Sequence, residues 1–295
     1  NLHRNPDKVA VTGPAGDLDY ATLIANAAQW GHAFMAAGLS RGDRIPFFLD
    51  DTPAYPAAFF GAVRAGFVPV LLNTQTNADT LAYFLADTEA RLVLCEATLL
   101  SEFSTEVLAG SDVETMVVVN GDAVNDGQIA QRDFLDGQPT SLAPADTTAA
   151  DMAFWMYSSG TTGRPKGIVH LHHDMAYTHQ SYGRQILGIT ADDICFSVPK
   201  IFFAYGFGNS FTFPFSVGAT TVLLPGRPDP ARIFDCIERY RPTLFFGLPT
   251  LYTALCRADD ASSRNLSSIR RSISAAETLS GEIYDAWKDL CGHGP

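Results

Sequence analysis

The chain has no block of basic residues. Its 20 Lys and Arg are outnumbered by 32 Asp and Glu, for a formal charge of −12. Such a surface repels polyanions at long range, which argues against a nucleic-acid partner. No apolar run approaches the roughly 20 residues that a bilayer-spanning helix needs, so no membrane partner is expected. No signal peptide is in view, although the chain opens on Asn1 and the native start is expected to lie upstream. Cysteine is scarce, with five residues and no C-x-x-C pair. Cys95 and Cys195 lie in apolar runs and read as core thiols, and a reducing, cytoplasmic setting fits this usage. His170, His172 and His173 crowd together, but no Cys or carboxylate cluster completes a coordination set, so no protein-held metal is expected. No nucleophile–base triad is evident.

What the chain does have is apolar mass. Of its 295 residues 46% are hydrophobic, enough for one large domain or two subdomains. Strand candidates at 9–11 and 18–20 flank a Gly-Pro turn. Thr22 is positioned to cap an Ala-rich helix that Gly38 stops. Strands follow at 44–49, 68–72, 92–95 and 116–119, and helices fall between them, one capped by Asn77. Residues 120–150 are polar and read as a surface connection with a short helix near 129–135, which divides the chain into candidate subdomains 1–150 and 151–295. A helix over 172–187 is expected beyond it. Strands at 194–198, 219–224, 244–247 and 273–276 then alternate with helices at 228–240, 249–257 and, capped by Ser280, up to Cys291. Strand–helix alternation with short turns predicts an α/β fold of two similar parallel-rich sheets covered with helices in layers. The pairs Asp50-Asp51 and Asp192-Asp193 read as solvated turns.

One stretch carries an unusual pattern. Met152 to Tyr157 is apolar and aromatic, Ile168-Val169 is apolar, and between them runs Ser158-Ser159-Gly160-Thr161-Thr162-Gly163-Arg164-Pro165-Lys166-Gly167. A strand, a loop of glycines and hydroxyls, and a second strand make a phosphate-holding hairpin. The glycines let main-chain N–H groups approach an anion, four hydroxyls add neutral donors, and Lys166 adds one mobile charge. It is not a P-loop, in which Lys directly follows the last Gly and a helix comes next.

This string resembles the nucleotide-binding signature of the adenylate-forming enzymes, which include acyl- and aryl-CoA synthetases, peptide-synthetase adenylation domains and luciferases. Lys200-Ile201-Phe202-Phe203-Ala204-Tyr205-Gly206-Phe207-Gly208-Asn209 looks like the substrate-pocket segment of benzoate-type CoA ligases. Ser274-Ala275-Ala276-Glu277 looks like their adenine-contacting turn, with Ala276 where many relatives have Gly. The resemblance implies the large N-terminal domain of that fold, with the lid domain absent. The family's Thr-Glu motif for Mg²⁺, its ribose-gripping Asp and its lid Lys come later in those chains, so this one is expected to be a piece of a longer enzyme.

What the resemblance implies for chemistry is specific. A carboxylate attacks the α-phosphorus of ATP, pyrophosphate leaves, and a thiol, that of coenzyme A, takes the acyl group. The first step needs no general base, because a carboxylate is ionised at neutral pH. Its difficulty is positioning and charge neutralisation. Lys166 is the candidate catalytic residue. Ser158, Ser159, Gly160, Thr161, Thr162, Gly163 and Lys166 are candidate contacts to the phosphates, with Mg²⁺ beside them, and Ala275, Ala276 and Glu277 to the adenine. Lys200, Phe203, Ala204, Tyr205 and Gly206 are candidate contacts to a small aromatic acid. Read from the residues alone, the aromatic segment suits a flat apolar slot and an ordinary core about equally, and Lys200 suits a substrate carboxylate or a surface salt bridge. Other readings stay open: delivery to a carrier-protein thiol, or a chain that binds acid and ATP but turns nothing over. A homodimer is an admissible assembly.

Overall fold

The computed structural model describes residues 5–123, 125–158 and 163–295. Thirteen strands among them form two sheets, each within its own compact unit. In chain order the strands are β1 (Val9–Thr12), β2 (Leu18–Asp19), β3 (Arg44–Phe48), β4 (Val68–Leu71), β5 (Leu92–Glu96), β6 (Thr115–Val119) and β7 (Gln128–Ala130). They continue as β8 (Met152–Ser158), β9 (Lys166–Leu171), β10 (Ile194–Ser197), β11 (Thr220–Val222), β12 (Leu244–Gly247) and β13 (Arg271–Ser274).

The first unit comprises Thr22–Asp50 and Ala54–Tyr177. Its sheet runs β7-β6-β5-β3-β4-β8-β9, parallel throughout except for the β8–β9 hairpin. Period-two alternation sends Phe48, Val70, Val93 and Cys95 to one face, against Leu81, Phe84 and Leu85 of the helix Ala78–Thr88. That helix starts where its sequence signal places it: Asn77 Oδ1 accepts from the Thr80 N–H at 2.9 Å. Aromatic packing also joins Trp30 and Phe34 of the helix Tyr20–Ala36 to Phe134, with ring centroids 5.8 and 5.9 Å apart.

The second unit comprises the segment up to Ala21, Asp51–Pro53 and the chain from Thr178 onward. Its sheet runs β13-β12-β10-β11-β1-β2, and only β2 is antiparallel. Phe196, Val222 and Phe245 point to one face, where the helices Pro230–Tyr240, Pro249–Cys256 and Gly281–Cys291 bury them with Ile233, Tyr252 and Trp287. Cys195, Leu244 and Phe246 point to the other face, against Leu187 and Phe213. Both faces are covered, the usual state of parallel sheets.

The structure amends four expectations. A single cut at residue 150 does not separate the units, because β1 crosses back to pair with β11, Val11 beside Thr221. The first helix begins at Tyr20, two residues before Thr22, because the Tyr20 and Ala21 N–H groups are met by the Lys8 and Pro6 carbonyls. Residues 128–130 form an edge strand before the short helix Gln131–Leu135. The expected helix 172–187 is α-helical only over His172–Thr178 and continues as π-helical turns over His179–Leu187. Cys95 and Cys195 are buried, and burial raises both thiols above the ordinary range. Among the described residues no helix is long and apolar enough to cross a membrane.

Candidate active site

Strands β8 and β9, which flank the glycine-and-hydroxyl stretch, pair as a hairpin. Antiparallel register places Ser158 opposite Lys166, and Met156 opposite Ile168. Ser158, Gly163 and Lys166 are exposed at the hairpin mouth. Ser159, Gly160, Thr161 and Thr162 lie outside the described residues. The hairpin leans on the helix Ala78–Thr88. The Tyr83 hydroxyl donates to the Pro165 carbonyl at 3.1 Å, and the Arg164 guanidinium lies 5.2 Å from the Tyr83 ring centre. The Tyr157 hydroxyl donates to Asp87 Oδ2 at 2.7 Å, and burial followed by that bond pushes the phenol well above its usual range. Arg164 is therefore folded against an aromatic ring, while Lys166 is exposed.

The neighbouring histidines have local partners. His170 stacks on Phe154 at 4.6 Å, and Asp174 reaches His170 Nδ1 at 3.5 Å and His173 Nδ1 at 3.0 Å. Among the described residues no three His, Cys, Asp or Glu side chains are grouped to hold a metal.

The aromatic segment follows β10 at the carboxyl edge of the second sheet. Its side chains divide between two roles. Phe202 and Phe207 belong to the core, Phe207 stacking on Phe211 at 5.1 Å. Phe203 is 44% exposed, with Phe202 behind it at 4.6 Å, and Ala204 beside it is exposed. Lys200 is not a surface salt-bridge residue. It is 7% exposed, and its Nζ donates to the Leu224 carbonyl at 2.7 Å. The next N–H, of Ile201, donates to Asp51 Oδ1 at 3.2 Å.

From Ala204 the chain turns into helix, continues in π turns over Gly208–Thr212 and ends in Phe213–Val217. Gly206 makes the first bend possible. A Cβ there would lie 2.0 Å from the Lys200 carbonyl oxygen and 2.4 Å from that of Pro199. Neither main-chain atom can yield without moving the segment. Gly206→Ala is expected to lower stability by about 3 kcal/mol, the upper range for overpacking, measured as the loss in thermal denaturation. An unchanged melting temperature would mean that the segment is not seated this way.

The Ser274–Glu277 turn leaves β13 on the same carboxyl edge, where open α/β sheets bind ligands. Ala276 holds φ at 75°, a left-handed conformation that costs a non-glycine residue about 1 kcal/mol. Ala275 is half-buried, and Ala276 and Glu277 are exposed. The two stretches are joined by Tyr205, whose hydroxyl donates to the Ile273 carbonyl at 3.1 Å while its ring meets Phe246 edge-on at 6.5 Å. Tyr252 donates to the same oxygen at 2.9 Å.

Two acids read as solvated are not. Asp51 is 2% exposed and anchors Ile201, as described. Asp193 is 3% exposed and gathers the opposite edge of the sheet. Arg270 grips it with two bonds of 2.8 Å, the Thr243 hydroxyl donates at 2.7 Å, and the Thr190 N–H at 2.9 Å. Burial opposes ionisation of Asp193, but these donors prevail and hold its carboxyl at about 2. Arg270 lies 77 residues further along the chain, so no local pattern announces the pair.

Residues 1–295 match the family described as AMP-binding enzyme. The chain is 37% identical over 97% of its length to a 4-hydroxybenzoate–CoA/benzoate–CoA ligase of Rhodopseudomonas palustris. It is 35% identical over 97% of its length to a benzoate–CoA ligase of Thauera aromatica. It spans about half the length of these curated relatives, 53% and 54%. Among solved structures, an anthranilate CoA ligase in complex with anthranoyl-AMP superposes with a TM-score of 0.96 at 32% identity, covering 99% of this chain and 57% of that one. A benzoate CoA ligase of Burkholderia xenovorans superposes with a TM-score of 0.89 at 33% identity, covering 99% and 58%.

Proposed function

From the premise that the chain belongs to the AMP-binding enzyme family, we propose that its parent protein activates an aromatic carboxylic acid with ATP and passes the acyl group to coenzyme A. One observation carries the reading. The aromatic segment and the Ser274–Glu277 turn leave neighbouring parts of one carboxyl sheet edge, tied together by the Tyr205–Ile273 hydrogen bond. An aryl-adenylate has a flat ring at one end and adenine at the other, so it needs two such surfaces side by side. Phe203, Ala204 and Tyr205 line the ring's side of the edge, with Gly206 keeping the bend narrow. Lys200 supports this segment from inside, through Leu224. Ala275, Ala276 and Glu277 meet the adenine.

The exposed Lys166 fits a polyphosphate, because its ammonium stands at a mouth with Ser158 opposite and no carboxylate paired to it among the described residues. In the proposed reaction Lys166 and the main-chain N–H groups of 159–163 draw charge from the leaving pyrophosphate, and the acid's own carboxylate is the nucleophile. Mg²⁺ enters with the nucleotide. The described side chains offer no cluster of His, Cys, Asp or Glu to hold it. By itself the 295-residue chain is proposed to hold acid and ATP without turnover, and the parent protein to work in the cytoplasm.

The test is acid-dependent pyrophosphate release by the full-length parent. Benzoate, hydroxybenzoates and aminobenzoates are expected to support it with kcat/KM at least tenfold above acetate or long-chain fatty acids. A preference for a fatty acid would overturn the aromatic assignment.

A further inference from the structure

The second unit holds a cavity of ≈ 590 Å³ on the edge of its sheet opposite the candidate active site. Its lining includes Thr190 and Ala191, which precede β10, and Val217 and Gly218, which precede β11. The aromatic segment instead follows β10. In a parallel sheet the two places are therefore separated by the length of the strands. The volume lies within the range of small-molecule sites, about 300–1,000 Å³.

Its chemistry is one-sided. Arg184 and His179 line it, and among the described residues no Asp or Glu does. Among the described residues Arg184 has no carboxylate partner. Its guanidinium reaches only the neutral Gln180 Oε1, at 3.3 Å. The nearby charges are engaged elsewhere. The Lys8 ammonium donates to the Ala191 and Gly218 carbonyls and is flanked by Asp192 and Asp193, and Asp193 is gripped by Arg270. Tyr20, Ile189 and Val217 supply apolar wall.

The π-helical turns over His179–Leu187 deliver the polar wall. Their wider winding sets His179, Gln180 and Arg184 along one lining, and such turns recur at functional sites. His179 is 7% exposed and rigidly seated. Ser216 Oγ donates to the Phe213 carbonyl at 2.7 Å and so accepts from His179 Nδ1 at 2.6 Å. Gly183 leaves room for this arrangement, since a Cβ there would lie 2.9 Å from His179 Nδ1. Burial and then the Arg184 charge keep the imidazole below its usual pKa, hence neutral near pH 7.

We propose that this cavity binds an organic oxyanion, a carboxylate or phosphate group on a small apolar body, recognised by Arg184 and reported by His179. A guanidinium without a carboxylate partner, on an apolar wall, suits a planar or tetrahedral oxyanion in a way that a lone ammonium does not. The inference does not depend on the proposed adenylation.

The test uses the 295-residue chain with ¹⁵N-labelled histidine, titrated with phenylacetate, phenyl phosphate, inorganic phosphate and the neutral phenylacetamide. The His179 signal is assigned by its loss in His179→Gln. Phenylacetate or phenyl phosphate is expected to shift that signal in a saturable way, and which of the two binds more tightly separates the carboxylate from the phosphate source. Arg184→Gln, at an exposed position, is expected to weaken this binding at least tenfold, and Phe203→Ala to leave it unchanged. The inference is overturned if phenylacetamide binds as well as the acids, if inorganic phosphate binds as well as phenyl phosphate, or if Arg184→Gln has no effect. Loss of binding in Phe203→Ala alone would assign the acid to the carboxyl edge, and overturn this site while supporting the other.

Discussion

Lys166→Ala in the full-length parent is expected to reduce acid-dependent pyrophosphate release by about 10²- to 10³-fold, the typical cost of removing one donor from a developing negative charge. The melting temperature should stay within about 1 °C, because Lys166 is exposed at the start of β9 and surface substitutions away from caps and cores cost little. The ladder opposite Ser158 uses only its main chain, which Ala retains. Arg164 cannot stand in, since its guanidinium rests on the Tyr83 ring. Lys166→Arg should recover part of the rate, because the charge returns with a bulkier, planar head. Unchanged pyrophosphate release in Lys166→Ala would remove the hairpin from the chemistry.

Asp193→Asn is expected to cause a large loss of stability. It leaves Arg270 without its carboxylate and three further donors, the Thr243 hydroxyl and the Thr190 N–H and hydroxyl, competing for one amide oxygen. Breaking a buried pair costs about 3–5 kcal/mol, and the lower figure applies because the Arg270 side chain is 40% exposed. A loss of about 3 kcal/mol corresponds to roughly 6–12 °C in melting temperature for a domain of this size. The acid limb supplies an independent check. The folded carboxyl, at about 2, lies below the unfolded value of about 3.9, so its contribution is complete above about pH 5 and is lost as pH falls through about 2. The variant should lack that limb, so the two stability curves should converge in acid. Parallel curves down to pH 2 would show that the pair is not what holds this edge.

What the sequence disclosed follows from how local each signal is. Asn77 and Ser280 cap helices through N–H groups three residues away, so both starts are readable from neighbours in the chain. Gly38, with φ of 79°, stops the first helix for an equally local reason. The hairpin is visible because its strands are adjacent in sequence, and the aromatic segment because its residue types cluster. Asp193 and Asp51 read as solvated from the sequence because their burial is decided by Arg270 and by the Ile201 N–H, both far along the chain. β7 has only three residues on a sheet edge and too short a pattern to register. The π turns at His179–Leu187 and Gly208–Thr212 share the apolar spacing of an α-helix, and their winding is set by packing. Within the aromatic segment, composition marks four rings alike; the resemblance singles out Phe203 and Tyr205, and the fold shows Phe203 outward and Phe202 and Phe207 buried.

The shared acceptor at Ile273 has one more implication. A carbonyl oxygen has two lone pairs, and the hydroxyls of Tyr205 and Tyr252 take both. In the proposed aromatic-acid site, a guest with a hydroxyl or amine of its own would find that oxygen saturated, so its ring substituents would be sorted by the room around Phe203 and Ala204. The Tyr205 ring, pinned at its far end, forms a preset gauge whose ordering was completed when the chain folded.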